Sequence, residues 1–245
     1  MDNNIIQGRN PVIEALRAER EIDKIIVSKG NLEGSIKKIV GIAKEKKIPI
    51  QYVDKNKLNQ ISDGGVHQGV IAYVAAYKYY EIEEIIEAAK EKNEDIFLII
   101  LDEITDPHNL GSVIRTANAC GAHGVIIPKR RSVGLTATVA KTSAGAIEYV
   151  PVSKVTNLSR TIDYLKEKGI WIIGADMDGE SLHYDSDLKG NIALVIGNEG
   201  KGISRLVKEK CDFLVKLPMK GQVSSLNASV AASILMYEVL RQREC

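Results

Sequence analysis

The sequence predicts an α/β protein: a small amino-terminal α/β domain followed by a larger α/β domain. Three observations predict it. Apolar strand runs alternate with helices of regular apolar spacing along the whole chain. The alternation is interrupted by a tyrosine-bearing segment and restarts at Ile96, which divides the chain in two. In the second part, residues 96–101 and 192–196 are continuous apolar runs, the kind buried on both faces of a parallel sheet.

The elements come in order. Residues 10–18 read as a helix: Asn10 caps it, Pro11 opens it, and Val12, Ala15 and Leu16 form its apolar face. Residues 23–27 are a strand, and 32–47 an amphipathic helix with Ile36, Ile39, Val40 and Ala43 at helical spacing. A strand at 49–53, a short helix at 55–61 and a strand at 69–74 complete a first domain, residues 1–75. Residues 76–94 hold Tyr77, Tyr79 and Tyr80, then an acidic, Ala- and Lys-rich helix: a linker plus the helix that leads into the second domain. The second domain, residues 95–245, opens with the strand 96–101. A helix at 110–120 carries Leu110, Val113, Ile114 and Ala117 on one face and closes at Gly121. A strand at 125–127 ends at Pro128, and residues 129–145 are small, polar and irregular. Then come a short strand at 149–152, a helix at 157–168, strands at 170–175 and 192–196, a helix at 203–210, a strand at 213–217 and a last helix at 226–241. The resulting sheet is mostly parallel.

Composition excludes several classes. The chain has 245 residues and a net charge of +1, so no global basic field points to nucleic acid, although a local patch can still bind phosphates. Met1-Asp2-Asn3-Asn4 lacks the basic and apolar regions of a signal peptide, and no apolar run reaches the ~18 residues of a membrane span. Cys120, Cys211 and Cys245 are odd in number, widely spaced and without a metal motif. They fit a reducing cytoplasm, which is the expected location, and Cys120 and Cys211 read as packed thiols.

The common nucleotide motifs are absent. The run from Gly197 to Ser204 breaks P-loop spacing, because Lys201 precedes Gly202. After Leu101 there is only one glycine where a dinucleotide fold needs three, which disfavours a Rossmann oxidoreductase and the glycine-rich loop of the commonest methyltransferases. Zinc-hydrolase and esterase signatures are missing as well.

Three polar turns remain. The first runs from Asp106 to Arg115; Asp106 and Pro107 can start a helix, with Asn109 at its mouth. Arg115 lies among Val113, Ile114 and Ala117, an apolar setting for a permanent charge, and a salt bridge to Asp102 or Glu103 is one explanation. The second, from Gly197 to Gly202, is a glycine-rich bend after a buried strand, carrying Glu199, either as a site residue or merely solvated. The third runs from Leu217 to Asn227. Pro218 ends a strand, Gly221 permits a turn, and Ser224, Ser225 and Asn227 stand at a helix start, where backbone N–H groups are free. An ordinary helix cap also accounts for that stretch.

Together these turns resemble motifs 1, 2 and 3 of the SpoU (TrmH/RlmB) family of SPOUT methyltransferases. The matching residues are Asn109-Leu-Gly-Ser-Val-Ile-Arg115, Ile196-Gly-Asn-Glu-Gly200, and Leu217-Pro-Met with Ser224-Ser-Leu-Asn-Ala-Ser-Val-Ala-Ala232. Gly8-Arg-Asn-Pro-Val-Ile-Glu-Ala-Leu16 and His67-Gln-Gly69 resemble the small ribosomal-protein-like RNA-binding domain of the RlmB-type branch. The resemblance implies methyl transfer from S-adenosylmethionine to a ribose 2′-hydroxyl of RNA. It also implies a deep trefoil knot in the catalytic domain, which general topological rules would argue against, and a homodimer with composite sites. By the same match Arg115 is the central catalytic residue, Asn109 and Glu199 orient it or the ribose, and Ser225 and Asn227 complete the site. Gly197, Leu217 and Leu226 hold the adenosine; core packing is the other account of the two leucines.

A sulfonium methyl is already activated, so the chemistry needs no metal. It needs alignment of hydroxyl oxygen and methyl carbon, and removal of a proton. A guanidinium is protonated at neutral pH, so Arg115 acts either as a strongly perturbed base or as a clamp on RNA phosphate. Arg9, Asn10, His67 and Gln68 are the RNA-contact candidates of the first domain. Asn10 is equally a helix cap and His67 equally a turn residue. Lys37, Lys38, Lys44, Lys46 and Lys47 form a basic face, solvated or phosphate-binding. The tyrosines either stack on bases or pack on the catalytic domain. The expected substrate is a guanosine of large-subunit (23S) rRNA. A tRNA ribose is the neighbouring alternative, and a non-catalytic RNA-binding protein of this fold is the alternative of another class.

Overall fold

The computed structural model describes residues 5–17, 20–30, 34–62, 64–74, 77–222 and 225–244. Expectations touching Met1–Asn4, Ala18, Leu32, Ala76, Ser224 and Cys245 lie outside the described residues. The chain divides into two compact units, residues 1–78 with 134–137 and residues 79–133 with 138–245.

The first unit contains β1 (Ile5–Gln7), α1 (Arg9–Arg17), β2 (Ile22–Ser28), α2 (Ser35–Glu45), β3 (Ile50–Val53), α3 (Lys55–Ser62) and β4 (Val70–Val74). Its sheet has the order β1-β4-β2-β3; β4 is antiparallel to both neighbours and β2–β3 is parallel. Side-chain alternation along β2 splits the core. Ile25 and Val27 pack with Val12, Leu16, Ile36 and Ile39 of α1 and α2, while Ile26 and Ile71 pack with Leu58 of α3. β1 is too short to show periodicity in sequence. The helix α1 starts one residue before Asn10, which is exposed in the first turn and does not cap it. Gly8, at φ +94°, turns the chain into the helix, and the Arg9 N–H donates to Gln68 Oε1 at 3.1 Å.

The second unit contains α4 (Ile82–Glu91), β5 (Phe97–Leu101), α5 (Pro107–Ala119), β6 (Gly124–Pro128), α6 (Ala137–Thr142), β7 (Val152–Val155), α7 (Leu158–Glu167), β8 (Trp171–Ala175), β9 (Ser181–Leu182), β10 (Ile192–Ile196), α8 (Arg205–Lys208), β11 (Phe213–Lys216) and α9 (Ala228–Glu244). Its seven strands are all parallel, in the order β7-β6-β5-β10-β8-β11-β9. Ile85, Ile86, Ile162, Leu165 and Val207, from α4, α7 and α8, bury Leu98, Ile100, Ile126, Ile172 and Val195 on one face. The alternate strand residues point the other way, toward α5 and α9. Those two helices pack on each other, with Thr116 Oγ1 3.0 Å from Ser233 Oγ.

Several expectations shift. The stretch 129–145 contains α6. Its small residues carry no apolar period, and a close contact defines it: a Cβ on Gly111 would lie 2.6 Å from Thr142 Cβ. The strand expected at 149–152 begins only at Val152, as β7, and the helix expected at 203–210 shortens to α8, its preceding Ser204 N–H donating to Asp102 Oδ2 at 2.7 Å. Tyr79 and Tyr80 pack rather than display their rings. Lys154 Nζ lies 4.8 Å from the Tyr79 ring centroid, Tyr80 N–H donates to Val152 O at 2.9 Å, and Tyr80 packs on the core. Burial pushes the Cys120 thiol up to about 11 and Cys211 up to about 12, as inert packed thiols behave. Among the described residues no helix is long and apolar enough to cross a membrane.

Candidate active site

β10, β8 and β11 lie side by side, so their carboxyl ends release three loops at one edge of the sheet. An α/β sheet gathers its ligands there. A cavity of about 330 Å³ sits over these ends, lined by Ala175 at the end of β8 and Asp176 just after it, by residues 196–203, and by Leu217, Met219, Ser225 and Leu226. Its size is that of a small-molecule site.

The loop after β10 is built on close backbone approach. Asn198 N–H donates to Gly202 O at 3.0 Å and Gly202 N–H to Asn198 O at 2.7 Å, closing Glu199, Gly200 and Lys201 into a hairpin. A Cβ on Gly197 would fall 2.1 Å from the Gly202 carbonyl carbon and 2.2 Å from Ile203 N, so only glycine fits. Asn198 fixes the bend further, accepting from Gly200 N–H at 2.9 Å and donating to Glu103 O at 3.3 Å.

The three polar turns meet at one carboxylate oxygen. Asp106 caps α5 by accepting from His108 N–H at 3.1 Å, and Pro107 follows, which puts the buried Asn109 in the first turn. Asn109 Nδ2 donates to Glu199 Oε1 at 3.0 Å. Asn227 Nδ2 donates to the same Oε1 at 2.5 Å and to Asn109 Oδ1 at 3.0 Å. Ala228 N–H adds a further donor to Glu199 Oε1 at 3.2 Å. Asn227 Oδ1 meanwhile accepts from Ser229 N–H at 3.0 Å and Val230 N–H at 3.3 Å, which makes Asn227 the N-cap of α9. The Glu199 carboxylate therefore sits at the positive end of a long helix, where its charge is favoured.

Not every expected residue joins this junction. Arg115 is exposed, and its side chain has no hydrogen bond or ion pair among the described residues. The apolar setting expected for it is wrong: Asn109, Leu110, Gly111, Val113, Ile114 and Ala117 form the buried face of α5, and Arg115 is turned away from it. Its two expected partners are engaged elsewhere, Asp102 with Ser204 N–H and Glu103 with Arg131 Nη1 at 2.8 Å. Gly197, Leu217 and Leu226 all line the cavity, with Glu199 and Ser225 at its wall. Three charged cavity residues, Asp176, Asp178 and Lys208, are absent from the expected site residues. Lys208 Nζ lies 2.8 Å from Asp176 Oδ1 and 3.2 Å from Asp178 Oδ2, and its hydrogen bond to Asp176 raises its pKa above the usual lysine value. Asp176 is the first residue past an expected strand; that position was the available signal.

In the first unit, Arg9, Asn10, His67 and Gln68 line a cavity of about 840 Å³ together with Lys29 and Lys55. Arg9 Nε donates to Gln68 O at 3.0 Å. His67 is buried, and both its nitrogens are used internally: Nδ1 accepts from Gly69 N–H at 3.0 Å, so Nε2–H donates to Asn59 Oδ1 at 2.7 Å. That fits a structural turn histidine. Lys37, Lys38, Lys44, Lys46 and Lys47 are exposed.

Comparison with known proteins agrees with this geometry. The SpoU rRNA Methylase family model matches residues 96–237, and a model described as RNA 2′-O ribose methyltransferase substrate binding matches residues 5–80. The Bacillus subtilis (strain 168) protein YacO, named for the TrmH family of tRNA/rRNA methyltransferases, is 54% identical over 241 residues, covering 98% of this chain and 96% of its own. A Staphylococcus haemolyticus (strain JCSC1435) protein named for the same family is 51% identical over 243 residues, covering 99% and 97%. Among solved structures, the SpoU methyltransferase AviRb of Streptomyces viridochromogenes, in complex with the cofactor AdoMet, superposes with a TM-score of 0.63 at 25% identity, covering 98% of this chain and 90% of that one. An AdoMet-bound rRNA methyltransferase of Sinorhizobium meliloti shares the fold, with a TM-score of 0.61 at 21% identity and coverage of 97% and 87%. Since the relatives span nearly the full chain and the family model spans every turn that meets at Glu199, the chain belongs to the SpoU (TrmH) family of RNA methyltransferases.

Proposed function

We propose that this protein transfers the methyl group of S-adenosylmethionine to a ribose 2′-hydroxyl of RNA, with a guanosine of large-subunit rRNA as its substrate. The observation that carries this reading is the junction of Asn109, Glu199 and Asn227 beside the cavity at the ends of β10, β8 and β11. The cavity suits the cofactor: Ile196, Val215, Leu217 and Leu226 supply apolar walls for an adenine, and backbone at Gly197 leaves room for close approach. When bound, the cofactor supplies an electrophilic methyl on a sulfonium. The chain supplies position. Asn109 and Asn227 hold the Glu199 carboxylate in one orientation, and Ser225 closes the wall beside it. Arg115, exposed and without a side-chain partner among the described residues, is available to a phosphate or to a reacting hydroxyl.

In this reading residues 1–75 bind RNA, residues 76–94 connect, and residues 95–245 carry the chemistry, with the family's trefoil knot. Arg9, Asn10, Gln68 and the lysines around them are the RNA-facing groups; His67 shapes the turn that carries Gln68. The active form is a cytoplasmic homodimer. Val230, Ile234 and Tyr237 support it: they are exposed apolar side chains at helical spacing on α9, a stripe that a second subunit would cover. The affinity to the RlmB-type branch rests on the first domain.

A tRNA ribose is the second reading, favoured by relatives whose names span tRNA and rRNA. The test is to incubate the purified protein with methyl-labelled cofactor and total RNA and to map the modified nucleotide. A 2′-O-methylguanosine in 23S rRNA is expected. A tRNA product selects the second reading, and base methylation or no product overturns the chemistry.

A further inference from the structure

Asp176 presents at the cavity wall a carboxylate oxygen that its contacts among the described residues leave unused. It is the first residue after β8, at the cavity wall, with its side chain 12% exposed. Its Oδ1 is saturated by Lys208 Nζ at 2.8 Å and by Asp178 N–H at 3.0 Å. Its Oδ2 receives no donor among the described residues, and lies 3.9 Å from where a Cβ on Gly202 would stand. Two anchors thus fix the rotamer and leave one carboxylate oxygen at the cavity wall, next to Gly202 of the glycine hairpin.

We propose that Asp176 Oδ2 accepts the hydroxyl hydrogens of the ribose diol in the cofactor's adenosyl group, and so selects a ribonucleoside over a deoxyribonucleoside in this cavity. The proposal rests on the cofactor reading above. The chemistry of the pair favours a hydroxyl over a cation. Lys208 already balances the carboxylate, and a second ammonium at Oδ2 would sit close to the first, at a like-charge cost. A neutral O–H donor meets no such penalty and gains a charge-assisted bond. The strand end also suits the role, since open α/β sheets gather their ligands at the carboxyl ends of strands. Gly202 leaves the space opposite free of any side chain.

The test is calorimetric and does not depend on turnover. S-adenosylhomocysteine, which carries the same adenosyl group, and its 2′-deoxy and 3′-deoxy analogues are titrated into the wild-type protein, Asp176→Asn and Asp176→Ala. Wild type is expected to bind the parent and to lose about 10- to 100-fold in affinity when a hydroxyl contacting Oδ2 is removed. In Asp176→Asn the amide oxygen is claimed by Lys208 and Asp178 N–H, so an uncharged NH₂ faces the cavity; it can only donate to a hydroxyl oxygen, the charge-assisted bond is lost, and the discrimination should shrink about tenfold. Asp176→Ala should behave alike; Asp176→Asn, nearly the same in shape, decides the matter if the alanine variant unfolds. Equal wild-type affinity for parent and both analogues would refute the role of Asp176 while leaving the cofactor reading intact. Undiminished discrimination in Asp176→Asn would refute it too. No wild-type binding of the parent would instead refute the cofactor reading, and this inference with it.

Discussion

Asn227 has two separable duties, and a pair of substitutions can separate them. Its Oδ1 caps α9, and its Nδ2 ties Glu199 to Asn109. Serine is as good a cap as asparagine, but its single hydroxyl cannot also reach two partners. Asn227→Ser should therefore lose only the junction. Of its two bonds, the one to exposed Glu199 counts for little, while the buried Asn109 Oδ1 is left without its donor, so the cost is about 1–2 kcal/mol. Asn227→Ala loses the cap as well, adding about 1 kcal/mol. Urea denaturation of the three proteins measures both steps. Methyl transfer, assayed in parallel, should fall sharply and equally in both variants, because the orientation of Glu199 is lost in each. If Asn227→Ser is as unstable as Asn227→Ala, the cap does not contribute. If Asn227→Ser retains wild-type turnover, the junction is scaffolding and the assignment of Glu199 and Asn109 fails with it.

Four further outcomes are expected. Gly197→Ala forces a Cβ onto backbone atoms 2.1–2.3 Å away, which should cost about 1–3 kcal/mol and weaken cofactor binding at least tenfold by calorimetry. Arg115→Lys should leave cofactor affinity within about twofold of wild type but reduce turnover more than about a hundredfold, because an ammonium cannot reproduce the planar fork; near-normal turnover would defeat the role given to Arg115. Arg241 and Gln242 hydrogen bonds hold the Glu238 carboxyl down to about 2 from 4.5, so the stability it adds is full above pH 4.5 and is lost as the pH falls toward 2. Thermal melts should show that acid limb, on the order of 2 kcal/mol, and Glu238→Gln should flatten it. Finally, co-refolding Arg115→Ala chains with Asn109→Ala chains in equal amounts should restore about a quarter of wild-type activity, since half the dimers are mixed and each holds one intact site; a mixture as inactive as its parts would place the whole site within one chain.

How much the sequence discloses depends on how local each feature is. The strands at 96–101 and 192–196 announced themselves because a parallel strand buried on both faces must be apolar at every position. Asp106 and Pro107 carry their start signal within two residues, and the structure begins α5 there. The convergence of Asn109, Glu199 and Asn227 is different in kind. Separated by 90 and 28 residues, they share an oxygen only through the order of the strands, which no local pattern encodes; the family resemblance supplied it. The cap of α1 was missed for a similar reason, because the accepting oxygen belongs to Gln68, 59 residues from Arg9. α6 was missed because its six residues hold in place through the absence of a side chain on Gly111, a contact invisible from its own composition.

The position of Arg115 is set by helix geometry once Asn109 is fixed. The two residues are six apart on α5, roughly 240° around an ideal helix. If Asn109 faces inward to Glu199, Arg115 must face away, whatever its function. Its neighbour Thr116 meets Ser233 of α9, and Ser233 adjoins the exposed Ile234 of the apolar stripe. Under the proposed function Arg115 acts on the same substrate as Glu199, and because it faces away from Glu199 within the chain, it would serve the site of a second subunit. On this account dimerisation is what completes the reaction centre, and the exposure of Arg115 in one chain is a requirement of the design.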